Sequence, residues 1–271
     1  AGATTLALTA TPGSPVANAA EMALVVPIPD FPAQPGELAV PGVRTYLINF
    51  VALLLMAVRI GEVRGHIVFQ RAANIRQEIL GLADAIETTI KLCDKKAQEI
   101  AKEWANTSNI VFTGSGPNYA TALFSAAKLI EATGDHAIGQ DTEEWAHLQY
   151  FCKRSDTPTF IISAGDRDLT RSVEVARAAS IIGRQSAAVA PQTAESLLQQ
   201  SDHALPIAQV REMFSPLIAS IPTELFAAYK SDAMGEPFFR NFSGGRSEEG
   251  GGGASRIRDS LTWENWPNPW D

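Results

Sequence analysis

The chain is poor in the residues that announce a metal or a disulfide framework. Its 271 residues include two cysteines, Cys93 and Cys152, and four histidines, His66, His136, His147 and His203. Two cysteines so far apart form neither a disulfide framework nor a zinc spacing, and the histidines do not cluster. No metal or other cofactor is therefore expected, and a reducing cytoplasm is the natural setting. Positive charge is scarce as well: 22 Lys and Arg against 30 Asp and Glu give a net charge of −8. With no basic run in the chain, a nucleic-acid partner is not expected. Long apolar runs are missing too. The most apolar stretch, Tyr46 to Val58, is closed by Arg44 and Arg59. It is too short to span a bilayer and reads as a buried core helix, so no membrane partner is expected. No basic segment precedes an apolar one near the first residue, so no secretory leader is expected.

What the chain does have is apolar content, 45% of its residues, enough to bury a sizeable core and to build more than one domain. Its most informative stretch is Ile110 to Tyr119. A short run of strand character enters the turn Gly114, Ser115, Gly116, and Ala120 to Glu131 then reads as a helix. A strand-to-helix turn of this kind aims backbone N–H groups and a hydroxyl at one point, where a phosphate would sit. The third glycine of a dinucleotide fingerprint is absent, so a nicotinamide cofactor is not favoured. The same turn is also compatible with a sharp bend that needs small residues and binds nothing.

On the helix that follows, Lys128 and Glu131 lie three apart and share a face; Glu144 and His147 repeat that spacing further on. A cation, carboxylates and an imidazole after an anion-binding turn are the parts needed for proton transfer on a phosphorylated small molecule. Spacing alone leaves the plainer alternative open: a solvated helix face and a surface histidine.

Taken together, Gly114 to Ala120, Ala127 to Glu131 and Glu144 to His147 resemble the SIS (sugar isomerase) domain. The two-domain type found in the isomerase half of glucosamine-6-phosphate synthase is the nearest likeness. The resemblance continues through Pro158 to Ser163 and Pro222 to Tyr229, and it also reaches back to the first residues. It implies a three-layer αβα fold with a parallel, doubly wound, flavodoxin-like sheet, in one complete and one partial domain. It also implies roles. Glu131 would shuttle a proton between C1 and C2 of an open-chain sugar phosphate, and Lys128 would hold the enediolate charge. His147 would assist ring opening, with Glu144 in support. Gly114, Ser115, Gly116, Asn118, Ser163, Arg167, Thr170 and Arg246 would contact the substrate or its phosphate. The ligand implied is a hexose or hexosamine 6-phosphate, and the assembly implied is a homodimer, in which His147 serves the neighbouring subunit's site.

The expected organisation is the C-terminal part of a first SIS domain at residues 1–65, a helical connector at 66–107, a second SIS domain at 108–238 and a Gly/Trp-rich tail at 239–271. Within the first part, strands are expected over Ala3 to Thr9 and Met22 to Pro27 and a helix from Thr45 to Glu62. The connector carries Ile75, Ile79, Leu82 and Ile86 at helical spacing. In the second domain, strands are expected at Thr159 to Ser163, Gln185 to Ala190 and His203 to Pro206. Helices are expected at Leu169 to Ile182 and Ala194 to Gln200, and a long one at Phe214 to Met234. Such alternation means a parallel sheet covered on both faces.

Two departures from the family pattern bear on function. The expected Ser-x-Ser-Gly-x-Thr phosphate loop reads Ser163 to Thr170 here and contains Asp166 and Asp168, which repel phosphate, with Arg167 between them as an offset. The tail has a glycine where the synthase has its Schiff-base lysine, so amidotransfer is not expected. Farther on, the stretch from Gly244 to Arg258, with Arg246, Arg256 and Arg258, reads either as a lid or as part of a surface strap carrying Trp263, Trp266 and Trp270. The function expected is an aldose–ketose isomerase or a related amino-sugar phosphate isomerase or deaminase. The alternatives are a non-catalytic sugar-phosphate-binding protein and an assembly role.

Overall fold

The computed structural model describes residues 2–28 and 40–247. The expected tail features Arg256, Arg258, Trp263, Trp266 and Trp270 lie outside the described residues.

The chain opens with β1 (Leu6–Thr9), a short helix α1 (Pro15–Ala19) and β2 (Met22–Val25), and the two strands pair in parallel. The helix between them was not expected. Ser14 caps it by accepting a hydrogen bond from Ala17 N, and a proline stands in its first turn, where the missing N–H costs nothing. The helices α2 (Arg44–Val63) and α3 (Phe69–Glu103) follow. On α3 the positions Ile75, Ile79 and Leu82 are buried, as their spacing requires.

Helix α2 departs from expectation. Of its twenty residues only Val58 is buried, while Leu53, Leu55, Ile60 and Val63 are exposed. It is not a buried core helix: one stripe, including Leu47, Phe50, Val51 and Leu54, packs against the core, while Leu53, Leu55, Ile60 and Val63 face outward. Among the described residues it is the one helix long and apolar enough to cross a membrane by length and composition.

The remaining strands form one parallel sheet, ordered β4-β3-β5-β6-β7 among the described residues: β3 (Asn109–Gly114), β4 (His136–Asp141), β5 (Thr159–Ile162), β6 (Ser186–Pro191) and β7 (His203–Ile207). Side chains alternate between its faces. Ile110, Phe112, Phe160, Ile162 and Val189 join the core beneath α3, α4 (Pro117–Thr133) and α9 (Ile221–Met234). Val111, Ile161, Ala188 and Ala190 face the opposite layer, made of α5 (Thr142–Leu148), α6 (Leu169–Ile181) and α7 (Glu195–Gln200). The fold is therefore the three-layer α/β arrangement with a parallel sheet.

Two further elements differ from what the sequence predicts. Strand β4 was not anticipated, because it is an edge strand whose residues are mostly polar or small. It lies close under α4: a Cβ on Gly139 would stand 2.6 Å from the backbone of Leu123. The long helix expected from Phe214 to Met234 is broken into α8 (Ser215–Ala219) and α9. Pro222 has no N–H to continue the ladder, so the chain restarts there.

A buried lysine ties the layers together. Lys230 is fully buried and donates to the carbonyls of Trp104 and Ala105 at 2.8 and 2.9 Å, with the Asp135 carboxylate 3.0 Å away. Its charge is thus fully partnered, and it joins α9 to the end of α3 and to the turn before β4.

Candidate functional site

In open parallel sheets ligands bind beyond the C-terminal strand ends, where the strand order reverses. Here that point lies between β3 and β5, and two expected site segments stand on it. The first is the Gly114 turn. Gly116 has φ +55°, a conformation that L side chains rarely adopt, and Gly114 has no room for a Cβ, which would fall 2.5 Å from the Asn118 carbonyl oxygen. Asn118 itself is buried and committed to packing: its amide donates to Ser215 Oγ at 3.0 Å and accepts from Thr121 Oγ1 at 3.1 Å, locking α4 to α8.

The second segment, the loop after β5, is occupied from within. Asp168 accepts hydrogen bonds from Ser163 Oγ at 3.0 Å and from Ala164 N at 3.3 Å, while Gly165 N donates to Ser163 Oγ at 2.9 Å. The donors that a phosphate would use are bound to the chain's own carboxylate. Burial pushes the Asp168 carboxyl up, and these hydrogen bonds pull it back. Arg167 is taken up as well, donating to Glu212 Oε2 from Nε at 2.9 Å and from Nη2 at 2.6 Å. Glu212 leans over the glycine turn, with Oε1 3.4 Å from where a Gly116 Cβ would be. Ser115 in the glycine turn is half-buried, Thr170 is exposed on the first turn of α6, and Arg246 is exposed near the end of the described chain.

Lys128 and Glu131 lie elsewhere, on the outer side of α4. Lys128 Nζ is 2.5 Å from Glu131 Oε2 and 5.3 Å from the centroid of the Phe124 ring, which stacks on Tyr46 of α2 at 3.9 Å. The Glu131 carbonyl accepts from Arg240 Nη2 at 2.6 Å. Arg240 passes over Gly134, where a Cβ would stand 2.2 Å from its Nη1, so the glycine at the end of α4 makes room for this contact.

Lys128 opens into a cavity of about 550 Å³ between the α4–α9 layer and the segment leading into α2. Its walls include Val40, Arg44, Thr45, Glu224 and Phe238. Glu224 is a site residue that the sequence did not disclose. Its Oε1 is buried with no hydrogen-bond partner among the described residues. Burial raises its carboxyl from the ordinary 4.5 to about 7, against the opposing pull of the Ser220 hydroxyl and the Lys128 charge. The one available signal was a lone carboxylate within the apolar run Ile221 to Tyr229.

Glu144 and His147 are not brought to this cavity. They sit on α5, whose Trp145 packs in the opposite layer of the sheet. The spacing does make a helix here, because Asp141 caps it by accepting from Glu143 N at 2.9 Å. Both residues are exposed. His147 Nε2 is 3.3 Å from Glu143 Oε1, and Arg171 grips the same carboxylate at 2.8 Å through both Nε and Nη2, which holds Glu143 below its usual range. Among the described residues, no group of three or more His, Cys, Asp or Glu side chains gathers as a metal site.

Comparison with known proteins adds an independent line. The SIS domain family model matches residues 103–230. Glutamine–fructose-6-phosphate aminotransferase of Gloeobacter violaceus is 28% identical over 70% of this chain and 31% of its own length. That of Halobacterium salinarum is 30% identical over 87% of this chain and 38% of its own. The chain thus spans about a third of these relatives. Among solved structures, the C-terminal domain of glucosamine-fructose-6-phosphate aminotransferase from Francisella tularensis superposes with a TM-score of 0.73 at 17% identity, over 85% of this chain and 63% of that one. A glucosamine-6-phosphate deaminase from Thermotoga maritima gives 0.51 at 15%, over 88% and 64%. These likenesses bear on the fold, and the sequence match agrees with them: residues 103–230 match the SIS domain family, and the chain is homologous there to the glutamine–fructose-6-phosphate aminotransferases.

Proposed function

We propose that this chain is a sugar-phosphate enzyme: an aldose–ketose isomerase, or a related amino-sugar phosphate isomerase or deaminase, working through an enediolate. The observation that carries this reading is the Lys128–Glu131 pair on α4, with the lysine in the wall of a cavity of about 550 Å³. A carboxylate can take a proton from one carbon and return it to the next, and an ammonium beside it stabilises the enediolate without a metal. The relatives named above act on hexose or hexosamine phosphates by their names, and the ligand proposed here is a hexose or hexosamine 6-phosphate.

His147 lies across the sheet from Lys128, which suits a role in the site of a second copy. A homodimer is the assembly proposed, with the cytoplasm as its setting. Replacing Glu131 by Gln tests the chemistry: turnover should fall by about a thousandfold or more while ligand affinity stays within about threefold. Unchanged turnover would remove Glu131 from the reaction.

The non-catalytic alternative has one observation in its favour. The crevice between β3 and β5 is filled by Asp168 and by the Arg167–Glu212 pair, so the loop after β5 does not offer its donors to a phosphate. Ligand binding by the cavity with no turnover in any assay would select that reading.

A further inference from the structure

The cavity beside Lys128 contains a charge that the isomerase reading does not use. Enediolate chemistry at Glu131 and Lys128 accounts for one carboxylate and one cation, and those two are already paired. Glu224 is a second carboxylate. It projects from α9 into a wall otherwise built largely from apolar groups such as Val40, Ala227 and Phe238. Its Oε1 is buried without a hydrogen-bond donor among the described residues. A buried acceptor left unmatched is costly, and a ligand that brings a donor recovers that cost on binding.

The other charged or titratable groups nearby define what kind of donor fits. Arg44 lines the cavity from α2, Lys128 faces Glu224 from α4 with Glu131 attached, and Tyr46 lies close enough for its ionisation to sense Glu224. The cations Arg44 and Lys128 suit the anionic groups of a ligand, Lys128 the charge at its reacting carbons. Glu224 suits a positive one.

We propose that Glu224 is the specificity-determining residue of this cavity: it accepts hydrogen bonds from the protonated amino group of a sugar phosphate. The cavity therefore takes an amine-bearing ligand in preference to its hydroxyl counterpart. The inference rests on the sugar-phosphate reading above and narrows it. A hydroxyl can donate one neutral hydrogen bond to the carboxylate. An ammonium group donates several and cancels the charge, which is the larger gain in a site shielded from water. A neutral amide at the same carbon loses the charge and adds bulk.

The test is isothermal titration of the full chain with glucosamine 6-phosphate, glucose 6-phosphate and N-acetylglucosamine 6-phosphate, repeated with Glu224→Gln and Glu224→Met. Glutamine matches glutamate in shape, and thermal unfolding of both variants establishes that they are folded. In the wild-type chain the amine is expected to bind at least about tenfold more tightly than either of the other two. Both variants should lose that preference through weaker amine binding, with glucose 6-phosphate changing by less than about threefold. Equal wild-type affinity for the three ligands overturns the role of Glu224 and leaves the sugar-phosphate reading intact, since that result needs no variant. A preference that survives both substitutions also overturns it. Absence of binding by all three phosphates overturns both readings together.

Discussion

A carboxylic acid inside an apolar helix interface must either find a partner or give up its charge. Glu224 has given up part of its charge, with a carboxyl pKa of about 7 against an ordinary 4.5. A raised carboxyl pKa means that the folded chain keeps a proton that the unfolded chain has already lost. Stability from this group therefore declines as pH rises from about 4.5 to about 7 and is level above that, a loss of about 3 kcal/mol. Glu224→Gln should remove this component, so the gap between its urea midpoint and that of the wild type should widen in the variant's favour from about pH 5 to about pH 8. An equal pH response in the two proteins would contradict the assignment. Lys230 is a buried charge that has found its partners, two carbonyls and Asp135. Lys230→Met strands the Asp135 carboxylate and should cost about 3–5 kcal/mol in denaturant unfolding. A loss below about 1 kcal/mol would show that the cluster holds the layers together only weakly.

At the scale of elements, the loop between β5 and α6 shows how an acidic substitution can be built into a fold. The sequence reading expected Asp166 and Asp168 to repel phosphate. In the structure Asp168 goes further and binds the loop's own donors, Ser163 Oγ and Ala164 N. Asp168→Ala should destabilise the chain by about 1–2 kcal/mol, measured by urea unfolding, through the loss of two hydrogen bonds to a partly buried carboxylate. No change would mean that the loop is held by its backbone alone. Helix α3 and strands β3 and β5 to β7 were legible because burial writes its period directly into the chain: Ile75, Ile79 and Leu82 on the helix, β-branched or small apolar residues in the strands. Strand β4 was not legible, since an edge strand needs few apolar residues and its fit depends on Gly139 lying under α4, a tertiary fact. The break between α8 and α9 is written in Pro222, but the continuous apolar run around it carries the stronger helical signal. The exposure of α2 could not be read at all, because periodicity reveals an apolar face without saying what covers it.

For the molecule as a whole, the candidate site divides in the same way. Lys128 and Glu131 were visible by their spacing on one helix, and the structure pairs them. His147 was visible by the same rule, yet the sheet places it on the far layer, because three-residue spacing fixes a helix face and not the position of the helix. Glu224 came from a distant part of the chain and became a neighbour of Lys128 only through the packing of α9 on α4. The central claim is that this cavity, with Lys128 in its wall, binds a sugar phosphate. The most direct test is a thermal-shift titration of the wild-type chain and Lys128→Met with hexose and hexosamine 6-phosphates, each beside its unphosphorylated sugar. The account predicts that a phosphorylated sugar raises the Tm of the wild type, that the free sugars do not, and that Lys128→Met abolishes the rise. A chain that responds to none of them, or a variant that responds as the wild type does, would contradict it.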